Sequence, residues 1–470
     1  MTYRYYEKDF GRPDPGSTIE NFPYYEDVLK CDGQTLPPVI QKRGAYRPEP
    51  RMISYDRYID PKFVPLEIKN IWKKHWQVAC REEDIPNVGD RIAYDVASLS
   101  YVVVRTAPDE FRAFNNSCRH RGRKICDKKG SGANLQCAFH GWVYGLDGKL
   151  QWIPFQQEFP YVVPDHFNLH EVQIGRWGGN IFINPDPEAP PFESILGPLR
   201  EHFVDFPLQD RYTALHIRKK IRCNWKAAQE AFDEAYHTVH THYDGMPMFG
   251  SAATQIDIWE EGNVHLSRLI APGNIVDPYI GDRLDTHEGL RVFCSAFGFD
   301  PPPAERGHDQ ADSRAFAAEL QRKRLEETTG RAHAGLHPAF FLDMVKYHLF
   351  PNHHPWWGEM MPWWYRFLPY GTDPDHSTME IRVLMPIPDG AERPPAAEPI
   401  EIDFDEWARD YPATGVLGHI ADQDFTNMVA VQQGFKAAEP GEDYLTLANT
   451  AEGQILHFHE VYDKVMGLTD

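Results

Sequence analysis

The sequence lacks the features that define several large protein classes. No apolar run approaches the roughly 18 residues needed to span a bilayer, and the start, Met1-Thr2-Tyr3-Arg4-Tyr5-Tyr6-Glu7-Lys8-Asp9, has no apolar signal core. A cytoplasmic protein without membrane association is therefore expected. Cysteine is sparse and odd in number, seven in 470 residues. That argues against a disulfide frame and for reduced thiols. Basic residues are in deficit, 48 Lys and Arg against 69 Asp and Glu, a net charge of -21. This excludes a general nucleic-acid binder, which needs a basic face, and docking on anionic lipid. No internal repeat is visible. What is present is 42% hydrophobic residues, enough for real cores, in a chain long enough for two or three domains at roughly 150 residues each.

The texture changes along the chain. Residues 1–60 are rich in Pro and Gly and read as an extended arm with one or two short helices, packing on the domain that follows later. Apolar spacing (Phe63, Leu66, Ile68, Ile71, Trp72) predicts a helix over 61–76. Short β-rich runs with turn residues between them continue from Val78 to Asn184, the pattern of a small antiparallel barrel or sandwich. The Pro-rich stretch 184–191 marks an exit. Beyond it a mixed α/β pattern predicts helices over 224–240, 311–328, 403–410, 421–435 and 454–466, with strands over 365–368 and 378–384. The 311–328 helix reads as charged and solvated. The expected organisation is an arm (1–60), a small all-β domain (61–185) and a larger domain (186–470).

Two loops each carry one thiol and one imidazole: Cys118-Arg119-His120 and Cys137-Ala138-Phe139-His140. Zinc accepts two Cys and two His in a tetrahedron, and a Rieske [2Fe-2S] cluster takes two Cys on one iron and two His on the other. Zinc fingers usually pair Cys with Cys on one loop and His with His on the other. Here each loop is mixed, which suits two irons sharing two sulfides. Cys126 reads as a spectator thiol. Arg119, Arg121, Arg123, Lys124, Lys128 and Lys129 crowd the first loop against one acid, Asp127. They are either solvated loop charge or a docking patch for an acidic electron donor.

A second group lies in Asn224-Trp225-Lys226 through Asp233-Glu234-Ala235-Tyr236-His237-Thr238-Val239-His240-Thr241-His242. Three histidines behind carboxylates invite a metal. On one helix face Glu234, His237 and His240 would align. His242 lies about 140° round from His237 on an ideal helix and joins it only if the helix ends or bulges between them. On geometry alone His240 and His242 compete for the second ligand position.

With Gly141 and Trp142 following His140, and with acid-x2-His-x4-His after Asn-Trp-Lys, the chain resembles the α subunits of Rieske non-haem iron oxygenases, the aromatic-ring-hydroxylating family. The resemblance runs from about Tyr55 to Met466 and includes Phe350-Pro351-Asn352, Tyr365-Arg366-Phe367 and Pro369-Tyr370-Gly371. It implies an α+β chain, a small all-β Rieske domain ahead of a helix-grip-like antiparallel-sheet and helix catalytic domain. It implies one [2Fe-2S] cluster on Cys118, His120, Cys137 and His140, of the oxygenase type because the extra disulfide cysteines of respiratory Rieske proteins are missing. It further implies one Fe2+ on His237, His242 and Asp424, the last within Gln423-Asp424-Phe425-Thr426-Asn427, with Asp422 as fallback. Glu234 would link His140 of one subunit to His237 of the next in a head-to-tail homotrimer, with or without a small β subunit.

Electrons would come from NAD(P)H through a reductase, with or without a ferredoxin, and oxygen from O2. The substrate would be hydrophobic, aromatic or polycyclic, which 13% aromatic residues suit. Phe232, Met246, Phe249, Phe293, Phe341, Trp357, Trp363 and Phe367 are candidates for its pocket. Glu234 stands where many dihydroxylating members have Asp, and Glu there also occurs in monooxygenating and demethylating members. An O- or N-demethylase with the same centres is thus the nearest rival. An electron-carrier Rieske protein would leave the long stretch after 185 without purpose, and a zinc-scaffolded binding module would be colourless.

Overall fold

The computed structural model describes residues 25–45, 51–242, 248, 254–281, 283–439 and 443–468. Two antiparallel sheets dominate. The first runs Gln77–Arg81, Asn180–Asn184, Glu171–Trp177, Glu110–Asn115, Leu99–Ala107, Arg91–Val96, Lys129–Gly130. β-branched Val102, Val103 and Val104 suit its pleat, and all three are buried. A three-stranded sheet (Leu135–Gln136, Val143–Tyr144, Leu150–Trp152) stands beside it. Between them lies a compact core of Val104, Phe114, Ile125, Trp142, Tyr144 and Ile153, into which Cys118 and Cys137 project.

The second sheet runs Gln255–Trp259, Leu266–Ala271, Met344–Leu349, His354–Trp357, Trp363–Pro369, Ser377–Pro386, Arg211–Ile221, Ile400–Ile402. Only the last pairing is parallel. Met344–Leu349 is buried at every position, as expected of a strand covered on both faces. The helices Gly415–Ala437 and Gly453–Met466 pack against this half, along with Thr286–Ala296 and Gln310–Thr329. Among the described residues no helix is long and apolar enough to cross a membrane.

Buried ionic and amide contacts pin the two sheets together. Asn352 accepts from Val78 N at 3.0 Å. Arg366 donates to the Val78 carbonyl at 3.1 Å and to that of Ala79. Arg382 forms a two-pronged pair with Asp84 at 2.8 and 2.9 Å. In the N-terminal segment the short helices Tyr25–Lys30 and Pro38–Gln41 lie on the larger half, where Tyr25 donates to Asp343 at 2.7 Å.

Four helix expectations are revised. The 61–76 helix is an α turn (Phe63–Glu67) followed by a π turn (Ile68–Trp72), which brings Glu67, Ile71 and Trp72 inward. The 403–410 helix is absent apart from a 3-10 turn at Ala408–Asp410. The carbonyls of Asp403 and Glu406 instead accept the Lys219 ammonium, each at 2.6 Å, so they are not free for helical amides. The Gln310–Thr329 helix is not solvated all round. Its Arg314 is fully buried between Asp32 (2.7 and 2.8 Å) and Asp343 (2.8 Å). The fourth revision, at 224–240, builds the site described next.

Candidate functional site

The two Cys/His loops share one backbone design. Cys118 N donates to Arg123 O at 2.8 Å, and Gly122 N returns to Cys118 O at 2.9 Å; Cys137 N donates to Trp142 O at 2.8 Å, and Gly141 N returns to Cys137 O at 2.9 Å. Gly122 and Gly141 both have φ +77°, a left-handed conformation that a side chain disfavours. Each loop thus turns its cysteine inward and its histidine outward. Both sulfurs are buried, and the His120 and His140 rings stand 4.6 Å apart at 80°. Trp142 stacks beneath His120 at 5.2 Å. The Tyr144 hydroxyl lies 3.4 Å from the Cys118 sulfur and accepts from Arg119 N at 3.0 Å. Burial pushes the Cys118 thiol up, so a thiolate there calls for positive charge beside it. A pair of buried thiols with a pair of outward imidazoles fits a two-iron cluster with sulfur ligands on its inner iron.

Half of the basic rim is ion-paired. Arg123 pairs with Asp127 (2.6 Å), Lys124 with Asp95 (2.8 Å) and Lys129 with Glu398 (3.0 Å). Arg121 lies over the exposed Phe139 ring at 4.4 Å. What the tip presents is apolar: Phe139, Trp152, Phe155, Tyr161 and Val163 are all exposed.

In the second site the expected 224–240 helix breaks. Asn224 caps a helix of Trp225–Glu230, and helical structure resumes only as the single turn Thr238–Thr241. The break has two causes. The Asp233 carboxylate is drawn into the interior by the Lys346 ammonium and by His348 at 3.1 Å. Glu234 then accepts both His237 N (3.0 Å) and His237 Nδ1. His237 and His242 consequently flank one turn, and their Nε2 atoms converge on Asp424 Oδ1 at 3.5 and 3.1 Å. Ligand atoms of all three lie within 4.8 Å of one another. His242 Nδ1 donates to Gln423 at 2.8 Å.

The competing residues are placed differently. His240 is exposed, away from the convergence. Asp422 faces the other way, accepting Ala408 N at 2.8 Å and Arg409 N at 3.1 Å.

The electrostatics suit a cation. Burial opposes charge on Asp424, but His242 and His237 outweigh it and hold the carboxyl well below its usual range. Burial also opposes charge on His237, but Glu234 and Asp424 raise it well above an ordinary imidazole. Two imidazoles and one carboxylate with a shared focus are the donor set of a non-haem ferrous site, and each imidazole has its second nitrogen held by a hydrogen bond.

A cavity opens beside this focus. Phe232 and Trp363 line it as expected, Phe367 packs behind Phe232 at 5.6 Å, and Phe293, Phe341 and Trp357 are core residues outside its lining. Met246 and Phe249 lie outside the described residues. Sequence reading missed Met344, Trp356, Met361 and Tyr365. Strand alternation would have found Tyr365, since Trp363, Tyr365 and Phe367 share one face of their strand. Burial, and after it the Asp424 charge, push the Tyr365 phenol up. A second buried group, Asp233, His348 and His354, also has converging ligand atoms. The Lys346 ammonium already neutralises its carboxylate, so it reads as an ionic anchor for the 231–237 turn.

The chain matches the Rieske [2Fe-2S] domain family over residues 75–167 and the ring hydroxylating alpha subunit (catalytic domain) family over 208–468. It is 32% identical to biphenyl 2,3-dioxygenase subunit alpha of Rhodococcus jostii over 197 residues, 40% of this chain and 43% of that one. It is 28% identical to the glycine betaine monooxygenase oxygenase subunit of Pseudomonas aeruginosa over 186 residues, 39% and 43% of the two chains. The matches thus span less than half the length of these curated relatives. Among solved structures, a quaternary ammonium Rieske monooxygenase aligns with TM-score 0.62 at 14% identity, covering 88% of this chain and 95% of that one. Naphthalene 1,2-dioxygenase with bound indole aligns with TM-score 0.61 at 19% identity, covering 88% and 91%. At these identities the likeness is one of fold.

Proposed function

The chain belongs to the ring-hydroxylating oxygenase α subunits, and on that premise we propose that it is the terminal oxygenase of a Rieske system. It uses O2 and electrons from NAD(P)H, passed on by a reductase with or without a ferredoxin, to hydroxylate a hydrophobic, aromatic or polycyclic substrate. Cys118, His120, Cys137 and His140 hold the [2Fe-2S] cluster within a domain of residues 61–185. His237, His242 and Asp424 hold Fe2+ within a domain of residues 186–470. When bound, the two groups supply one-electron transfer and dioxygen activation.

The residues around them do the rest. Glu234 fixes the His237 tautomer and, as the bridge to a neighbouring subunit's cluster domain, gives electrons a short path in a head-to-tail homotrimer. The exposed Phe139, Trp152, Phe155 and Tyr161 of the cluster-loop domain support such docking, since large apolar side chains left in water are available to an interface. Gln423 orients His242, and the apolar cavity would keep bulk water from an ion held by His237, His242 and Asp424. Seven free thiols fit a cytoplasmic location.

One observation carries the reading: the Nε2 atoms of His237 and His242 meet Asp424 at the wall of an apolar cavity, with both Nδ1 atoms tied back. The test is iron and labile-sulfide analysis followed by product analysis under 18O2 with a surrogate reductase. Roughly three irons and two sulfides per chain are expected, with labelled oxygen in the product. Zinc without sulfide ends the proposal. Glu rather than Asp at position 234 favours demethylation as the second reading, which formaldehyde release from methoxylated or methylated amine substrates would reveal.

A further inference from the structure

The cavity beside His237, His242 and Asp424 is apolar on nearly every wall. Among the described residues that line it there is no lysine or arginine. A substrate carboxylate or phosphate would find no cation on this described wall, and burying one unpaired costs several kcal/mol. Four lining residues carry a neutral side-chain donor: Thr238, Tyr365, Trp356 and Trp363, and of these the Trp356 indole nitrogen is fully enclosed.

Tyr365 differs from the others in how rigidly it is set. Its strand is internal to the sheet, with Tyr365 opposite His354 on one side and Ile381 on the other. Its ring packs against Phe232 at 5.1 Å, Trp356 at 5.6 Å and Trp363 at 5.9 Å, and the residue is 1% exposed. No hydrogen bond ties its hydroxyl to another described residue, and the hydroxyl is not among the fully enclosed unpaired polar atoms, although the residue lines the cavity. A phenol clamped at a cavity wall in this way is a donor that a bound molecule would cover, at a cost if it brings no acceptor.

We propose that Tyr365 is a specificity-determining residue that donates a hydrogen bond to a single oxygen on an otherwise apolar aromatic substrate without an anionic group: an aryl ether, a phenol or an aryl ketone. This rests on the oxygenase reading of the site and narrows it. A site built around one donor rejects the analogue lacking the acceptor, because the phenol is then buried unsatisfied. It rejects carboxylates for want of a cation.

Anisole and ethylbenzene have nearly the same shape and differ by an ether oxygen in place of a methylene. Calorimetric titration of the purified iron-loaded protein should show anisole binding about five- to tenfold more tightly than ethylbenzene, with benzoate weakest. In Tyr365→Phe the preference should shrink to within about twofold through loss of anisole affinity. Thr238→Val, which removes the other wall hydroxyl, should leave the preference intact. Wild-type protein that ranks ethylbenzene equal to anisole, prefers benzoate, or binds none of the three overturns the proposal, as does a Tyr365→Phe protein that keeps the preference. The wild-type ranking decides even if the variant fails to fold. Iron and labile sulfide in the same samples report on the oxygenase assignment separately.

Discussion

At the scale of single residues, each imidazole of the paired site commits one nitrogen and leaves the other for an ion. Glu234 holds His237 and Gln423 holds His242. Partners of this kind typically contribute 10- to 100-fold in metal affinity or activity. Gln423→Leu, which removes the acceptor for His242 Nδ1, should weaken iron binding by about that factor, measured by titration with a ferrous chelator. Glu234→Gln should keep both iron centres, because an amide oxygen can still accept from His237, yet slow turnover by at least about tenfold. Full activity in that variant would remove Glu234 from electron transfer. Motif spacing made His237 and Glu234 legible. His242 over His240, and Asp424 over Asp422, rested on resemblance, because helix periodicity alone ranks His240 as highly as His242.

At the scale of elements, the decisive feature is the broken helix between Glu230 and Thr238. The sequence pattern predicts an unbroken helix over 224–240, and local propensity offers no reason to stop at Ala231. Of the two causes, the first is distant in sequence: Lys346, on an internal strand, captures Asp233. Met344, Lys346 and His348 share one face of that strand, so the element that lines the cavity also anchors the turn carrying Glu234 and His237. Removing one member of such a pair leaves a buried charge uncompensated. Lys346→Met should cost about 3–5 kcal/mol in urea unfolding. The double variant Asp233→Asn/Lys346→Met should recover a good part of that stability but not iron affinity, since the turn would lose its tether. Equal stability of the single and double variants would argue against coupling.

At the scale of the whole molecule, the interior stores histidines that resist protonation. Burial pushes His353 and His202 each down to about 3. The unfolded chain takes up a proton at these residues near pH 6.5, while the folded chain declines it. Protons are thus bound preferentially by the unfolded state, and stability falls as pH drops. It should be flat above about pH 6.5 and decline toward pH 3, by up to about 1.4 kcal/mol per pH unit for each such residue. Urea unfolding between pH 8 and pH 5 should show this slope, and His353→Phe should reduce it. The junction of the sheets adds a second liability: Arg382→Leu leaves Asp84 buried and unpaired, and a loss of about 3 kcal/mol or more is expected in the same assay.

What the chain's residues determined alone is what repeats or stays local. Short β-rich runs between turn residues in 78–184 marked the first sheet, mixed Cys/His loops marked the candidate cluster ligands, and one acid-and-histidine motif at 233–242 marked metal candidates. Tertiary structure decided what depends on residues far apart in sequence. It turned Asp422 toward backbone amides and Asp424 toward two imidazoles, buried Arg314 in a helix that looked solvated, and diverted the 403–406 carbonyls to Lys219. In each case a buried charge found a partner more than ten residues away, and desolvation made that pairing outweigh the local preference.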